Sequence, residues 1–303
     1  MEGTAARLPI PRYGASQVVV PAPGPGPGNW AGAPAALLAD GVMHLAYRVR
    51  RPEGEGRGVD VVVARSLDQV AFEPVAAISK DLVAAESLER PALARTPDGR
   101  WRLYLSCATP GTKHWRVELL EAAGLESLPA AQPRPVLPGD DRTAVKDPVI
   151  LRRGWGWEMW ACIHPLDDPD ATDRMWTNHG VSPDGLEWRW DGVALRPRGA
   201  GGWDARGTRV SAVWRRGGAW MALYDGRASA AENFEERTGL ATGTSPVGLA
   251  ATGEGPVAAS PHGRGGLRYV SLVPLPFGGY RLYYEATRED GAHELRTELV
   301  TTV

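Results

Sequence analysis

A hairpin that recurs five times constrains this 303-residue chain more than any other feature of its sequence. The copies are PAALLADGVMHLAYR from Pro34, PALARTPDGRWRLYLS from Pro91, PVILRRGWGWEMWAC from Pro148, SAVWRRGGAWMALYDG from Ser211 and VSLVPLPFGGYRLYYEA from Val270. They start 57, 57, 63 and 59 residues apart. Each is an apolar strand, a short glycine-bearing turn and a second strand rich in aromatics. Further strands follow, with turns such as SLDQ and SPDG. In such turns Asp bonds its own backbone and Gly accepts positive φ. A period of roughly 50–60 residues with about four strands each predicts radial blades. The expected fold is all-β: a five-bladed β-propeller with blades of about four antiparallel strands. It fills a single domain over residues 1–303, its blades starting near residues 29, 89, 146, 209 and 268.

The last blade shows three clear strands. The run SQVVVPA (Ser16 to Ala22) is expected to supply its fourth and close the ring, with PAPGPGPG (Pro21 to Gly28) as a stiff crossing to blade one. A β-sandwich would not need five near-equal periods. The best helix candidates, Ala84 to Arg90 and Val117 to Leu128, are short.

Composition narrows the function classes. The net charge is −2 and no basic block occurs, which argues against a nucleic-acid partner. No apolar run approaches the ~18 residues of a membrane helix, and the N-terminus lacks a signal-peptide pattern. These features predict a cytoplasmic protein with no membrane partner. Cys107 and Cys162 fit neither a metal spacing nor a disulfide framework. His114, His164 and His179 show no metal spacing either, so no metal and no cofactor are expected.

The charges on the repeat are the strongest functional signal. In a propeller the first strand of each blade lines the channel and the second runs antiparallel to it. The start of the first and the end of the second therefore share one mouth. The positions there hold Glu89, Asp147, Asp225 and Glu285 against Arg48, Arg90, Lys146, Arg209 and Arg268. Charges beside a channel are costly unless paired or hydrated. Inter-blade salt bridging alone is the plain structural explanation. Asp147 and Arg90 each precede a proline, which predicts extended backbone at both. Trp30 and Trp203, in loops before blades one and four, are candidates to stack on a sugar face.

The KDPVIL opening of blade three, the SPDGLEW turn and the GGAWMALYDG hairpin resemble the five-bladed propeller glycosidases: glycoside hydrolase families 43, 32, 68 and 117 and the family-130 phosphorylases. The resemblance covers nearly the whole chain as a pattern. It implies that Asp147, in the Asp-Pro of blade three, stabilises the transition state or tunes the acid. Two departures stand out. Families 43 and 32 place a base or nucleophile Asp at the start of blade one, where this chain has Ala33. Family 43 places its acid Glu at the start of blade four, where this chain has Arg209 and Val210. Blade two offers Glu-Arg-Pro, and KDPVIL followed by MWACIHP is similar to the blade-three opening of family 130.

The resemblance implies a glycoside hydrolase-like enzyme that acts on a small saccharide at the channel mouth. Glycoside cleavage uses two carboxylates of unequal pKa. Asp147 and Glu89 are the expected central pair, with Asp225 and Glu285 as alternates or hydroxyl-binding groups. Arg48, Arg209 and Arg268, helped by Arg90 and Lys146, are expected to bind substrate, an acidic or phosphate group included. An inverting phosphorylase and a non-catalytic sugar-binding propeller are the rival readings.

Overall fold

The computed structural model describes residues 7–154 and 156–301. Among the described residues, twenty strands fall into four-strand antiparallel units. Unit I holds β2 (Trp30–Ala39), β3 (Val42–Arg50), β4 (Gly58–Ser66) and β5 (Glu73–Ser79). Unit II holds β6 (Ala92–Arg95), β7 (Trp101–Ala108), β8 (Trp115–Ala122) and β9 (Arg134–Leu137). Unit III holds β10 (Thr143–Arg153), β11 (Gly156–Pro165), β12 (Trp176–Ser182) and β13 (Arg189–Leu195). Unit IV holds β14 (Gly207–Arg216), β15 (Ala219–Arg227), β16 (Arg237–Gly243) and β17 (Ala250–Ala251). Unit V holds β18 (Leu267–Pro274), β19 (Tyr280–Thr287) and β20 (His293–Val300).

The N-terminal strand β1 (Gln17–Val20) pairs antiparallel with β20, Gln17 opposite Thr297. Residues from the start of the chain thus complete the unit at its end, as the sequence predicts. Units I and V meet through one parallel bridge, Trp30 to His293. There the Trp30 ring stacks on His293 at 4.6 Å.

The turns follow their residues. Asp40 and Gly41 join β2 to β3 with φ of +52° and +79°. Positive φ at both central positions is the turn whose twist matches a hairpin, and Asp-Gly suits it. Asp68 and Asp184 each accept two backbone N–H bonds from residues two and three ahead.

Five hydrophobic clusters hold the units together, one at each junction. Between units I and II, Val61, Val63 and Ile78 pack with Leu93, Leu103 and Leu105. Tyr104 and Val117 meet Ile150 and Met159 between II and III. Trp160 meets Trp220 and Tyr224 between III and IV, and Trp214 meets Leu267 and Leu282 between IV and V. Between V and I, Tyr283 and Leu295 meet Met43 and Leu45. The series of contacts returns to its start. Among the described residues no helix is long and apolar enough to cross a membrane.

Two helix expectations fail. Val117 to Leu128 begins as β8 and ends in a 3-10 turn (Leu125–Ala130), because its apolar residues are buried between units. Ala84 to Arg90 contains no helix, and Ala84 takes φ +47°. The first strands of units I, III, IV and V also begin earlier than expected, while β6 begins at Ala92. β10 starts at Thr143, and a bulge falls between Lys146 and Val149. Similar register shifts occur at Gly32/Ala35, Val210/Ala212 and Arg268/Ser271. Asp147 is therefore not extended: it takes φ +55°, as Ala33 and Tyr269 do at the same place in their units. The bulge re-aims these residues off the pleat, which overrides the bias that a following proline imposes.

Truncating a junction residue leaves a cavity that two units must share. Leu103→Ala is expected to cost about 2–5 kcal/mol in urea unfolding. Leu67→Ser, on a side chain 85% exposed, is expected to stay within about 0.5 kcal/mol.

Candidate functional site

Buried charge from all five units meets at one end, beside the bulges of units I, III, IV and V and the loop before β6. Arg48 on β3 bridges two carboxylates that come from different units. It bonds Glu89, just before β6, and Glu285 on β19, the latter at 2.7 Å. Arg268 on β18 chelates Glu285 at 3.0 and 2.7 Å and reaches Glu236, just before β16, at 2.6 Å. Arg227, at the end of β15, also bonds Glu236. Arg209 on β14 joins Asp225 at 3.0 Å to Asp147 at 3.2 Å. Arginine suits this task because its planar fork binds two carboxylates at once.

Gly32 explains how the network fits. A Cβ at Gly32 would lie 2.1 Å from Glu285 Oε2. The side chain of Glu285 therefore occupies the space beside unit I that a residue other than glycine would fill.

Tyr269 stands at the centre. Its hydroxyl lies 3.4 Å from both Glu89 Oε2 and Asp147 Oδ2. The Arg209 guanidinium sits 3.8 Å from its ring centroid. Its backbone N–H donates to Asp225. An aromatic residue at φ +56° is an outlier that only a well-determined surround maintains. Asp147 is fixed from three further sides: its N–H donates to Ser106 Oγ, and its carboxylate accepts the Arg90 N–H and faces Lys146 Nζ at 3.9 Å.

A cavity of about 290 Å³ opens above this network. Of the residues predicted from sequence, Glu89, Lys146, Arg209 and Arg268 line it. Asp147, Asp225, Glu285 and Arg48 lie beneath, fully buried, and reach the cavity only through their partners. Arg90 faces away: it lines a second, smaller cavity of about 70 Å³ on the channel side, and its Nη2 donates to the Ser211 and Val270 carbonyls. Trp30 is 5% exposed, and His293, Phe234 and Arg50 crowd its ring. Trp203 stacks on Tyr224 and lies against Arg198 and Arg237, away from the cavity. Both rings serve packing: Trp30, at the head of β2, is covered by His293 and Phe234 from other units, and Trp203 by Tyr224. The guanidiniums of Arg48, Arg209 and Arg268 are likewise occupied by carboxylates.

The sequence assigns no site role to the wall residues Glu236, Arg227, Trp115 and Tyr269, and it marks His164 only as an ordinary surface or rim histidine. Glu236 precedes a third strand, outside the first and second strands that the repeat brings into alignment. His164 sits two residues past the aligned hairpin, where its Nε2 meets Cys162 Sγ at 3.4 Å and its Nδ1 meets the Thr172 carbonyl. Among the described residues no group of three or more His, Cys, Asp or Glu side chains could hold a metal.

The charge states follow from this geometry. Burial alone would raise Glu89, but Arg48, Lys146 and Arg50 hold it at about 2. Against the same burial, Arg268 and Arg227 keep Glu236 well below the usual carboxylate range, and Arg268 and Arg48 do so for Glu285. Asp225 goes the other way: burial outweighs Arg209 and Arg90 and raises it. Burial, with Lys146 and Arg227 nearby, keeps His164 neutral. Burial also keeps the Tyr269 phenol protonated.

Carboxyls depressed in the folded state add stability above their unfolded value, near 4.5, that is lost as pH falls through the folded value. Circular dichroism is expected to show acid unfolding that begins below about pH 4.5 and continues toward pH 2. Glu285→Gln leaves Arg48 and Arg268 short of a partner and is expected to cost about 3–5 kcal/mol at pH 7. The deficit should shrink as the solution is acidified.

No family model matches the sequence, and no curated protein matches it either. Solved structures do match. A thermostable family-43 glycoside hydrolase superposes with a TM-score of 0.67 at 13% identity, covering 89% of this chain and 88% of that one. The family-43 (subfamily 1) enzyme from Xanthomonas citri, complexed with xylotriose, gives 0.67 at 15% identity over 94% and 89%. A structure from the family of mannoside phosphorylases numbered 130, which contains glycoside hydrolases targeting β-1,2 mannosidic linkages in Candida mannan, gives 0.66 at 16% over 98% and 95%. This chain shares their fold over 89–98% of its length.

Proposed function

We propose that the five units are the blades of one five-bladed β-propeller domain, and that the protein is a glycoside hydrolase-like enzyme. Its substrate is a small saccharide bound in the 290 Å³ cavity at the mouth. The observation that carries this reading is the placement of Glu89 and Glu236 on the wall of that cavity, in a fold shared with glycoside hydrolases over nearly its whole length.

Glu89 is the ionised carboxylate of the reaction, because Arg48, Lys146 and Arg50 keep it charged. That state suits a base, a nucleophile or a stabiliser of the positive charge that develops on the sugar. It does not suit the acid. Tyr269 is the neutral donor beside it, its hydroxyl 3.4 Å from Glu89. Asp147, Asp225 and Glu285 are positioning residues: they hold Tyr269, Arg209 and Arg48 and do not touch the sugar.

One observation favours the rival reading of a sugar-binding protein without turnover: arginines hold both Glu89 and Glu236 in the charged form. A panel of aryl glycosides separates the two. Glu89→Gln is expected to lower kcat at least a hundredfold with its unfolding midpoint measured alongside, and Tyr269→Phe to lower kcat more than it changes KM. Unchanged rates in Glu89→Gln overturn the enzyme reading, and saccharide binding without turnover by the native protein assigns the rival. Full turnover in phosphate-free buffer assigns hydrolysis; a requirement for phosphate assigns phosphorolysis.

A further inference from the structure

The cations of the cavity wall are not equivalent. Arg209, Arg227 and Arg268 are each bonded to buried carboxylates. Lys146 is different. Its Nζ forms no hydrogen bond among the described residues, and the nearest carboxylate oxygen, on Asp147, lies 3.9 Å away. The ammonium is held 4.4 Å above the Trp115 ring, which also lines the cavity. Its side chain is only 13% exposed, so little solvent compensates it. Arg227 lines the same cavity, and its buried Nε has no hydrogen-bond partner among the described residues. The field in this corner registers on its neighbour: Lys146, Arg227 and Arg209 all act on His164 against its protonation. Carboxylates also border the corner. Glu89 and Asp147 face Lys146, and Asp173 faces Arg227 at 3.6 Å.

We infer that the Lys146–Trp115–Arg227 corner binds a carboxylate carried by the saccharide, so that the substrate is an acidic sugar of the uronate class. The inference rests on the reading that the cavity takes a saccharide. A single negative charge matches the Lys146 ammonium, which is only loosely paired to Asp147 at 3.9 Å, and leaves the existing arginine–carboxylate pairs intact; Lys113, the other lysine on the wall, is exposed to solvent. The indole supplies an apolar face for the sugar ring while it holds the ammonium in place. An ammonium held on an aromatic ring and partly desolvated gains more from an anion than it would in water.

The test measures binding, not turnover, so its failure is distinct from failure of the enzyme reading. The full-length protein is titrated calorimetrically with glucuronate, galacturonate and mannuronate, with glucose, galactose and mannose, and with inorganic phosphate. At least one uronate is expected to bind at least tenfold more tightly than its neutral counterpart. Lys146→Met should remove that preference, and Lys146→Arg should retain most of it. The unfolding midpoint of each variant reports whether it is folded. A neutral sugar that binds as tightly as its uronate overturns the proposal. So does a preference that survives Lys146→Met, or the binding of no uronate at all. Phosphate that binds as tightly as the best uronate with the same dependence on Lys146 also overturns it, because the anion would then be free and not carried by the sugar.

Discussion

The rest of the site depends on the grip of Arg48 on two carboxylates from two other units. Arg48 belongs to unit I, Glu89 leads into unit II and Glu285 belongs to unit V. One guanidinium therefore ties three units at the seam where the two ends of the chain meet. Arg209 repeats the device between units III and IV, and Arg268 between IV and V. Each pair is costly to desolvate and each is nearly saturated, so breaking one leaves a bare charge beside the others. The apolar clusters hold the units together with little direction of their own. The arginine forks set where each carboxylate points.

This arrangement gives a physical account of the departures from the propeller glycosidases. The position in unit I where the resemblance implies an Asp is small here, and Gly32 beside it admits the Glu285 side chain from unit V. The position in unit IV where a Glu is implied carries Arg209, which binds Asp147. Buried carboxylates and arginines from several units are interleaved at this end of the structure. The outcome is that Glu89, Glu236 and Glu285 are held ionised, with a strained Tyr269 as the neutral hydroxyl among them.

Much of this was legible in the sequence. The repeat spacing located each first hairpin, and the three-strand last unit implied the β1–β20 pairing, because an unpaired edge beside β20 needed a partner. The charged residues at the strand starts were legible as a group. Their individual orientations were not. A bulge shifts register without a mark in composition, so Asp147 reads as an extended residue before proline and folds at φ +55°. Glu236 lies outside the aligned hairpins, so its arrival at the cavity depends on a loop that carries no period, whereas His164 sits on β11 two residues past the aligned stretch. The indoles of Trp30 and Trp203 read as exposed loop residues, yet each is covered by neighbours that are distant in sequence: His293 and Phe234 for the first, Tyr224 for the second. Periodicity reports which strand a residue is on. It does not report which neighbour from another unit covers it.

Arg48, Lys146 and Arg50, and not burial, decide the charge of the wall carboxylate Glu89. The most direct measurement is a ¹³C NMR titration of protein labelled at the glutamate carboxyl carbons, with Glu89→Gln to assign the resonance. The account predicts that Glu89 stays ionised through pH 4 and titrates only near 2, where Arg48, Lys146 and Arg50 hold it. A Glu89 midpoint at or above the ordinary 4.5 would show that burial prevails over the arginines, and would contradict it.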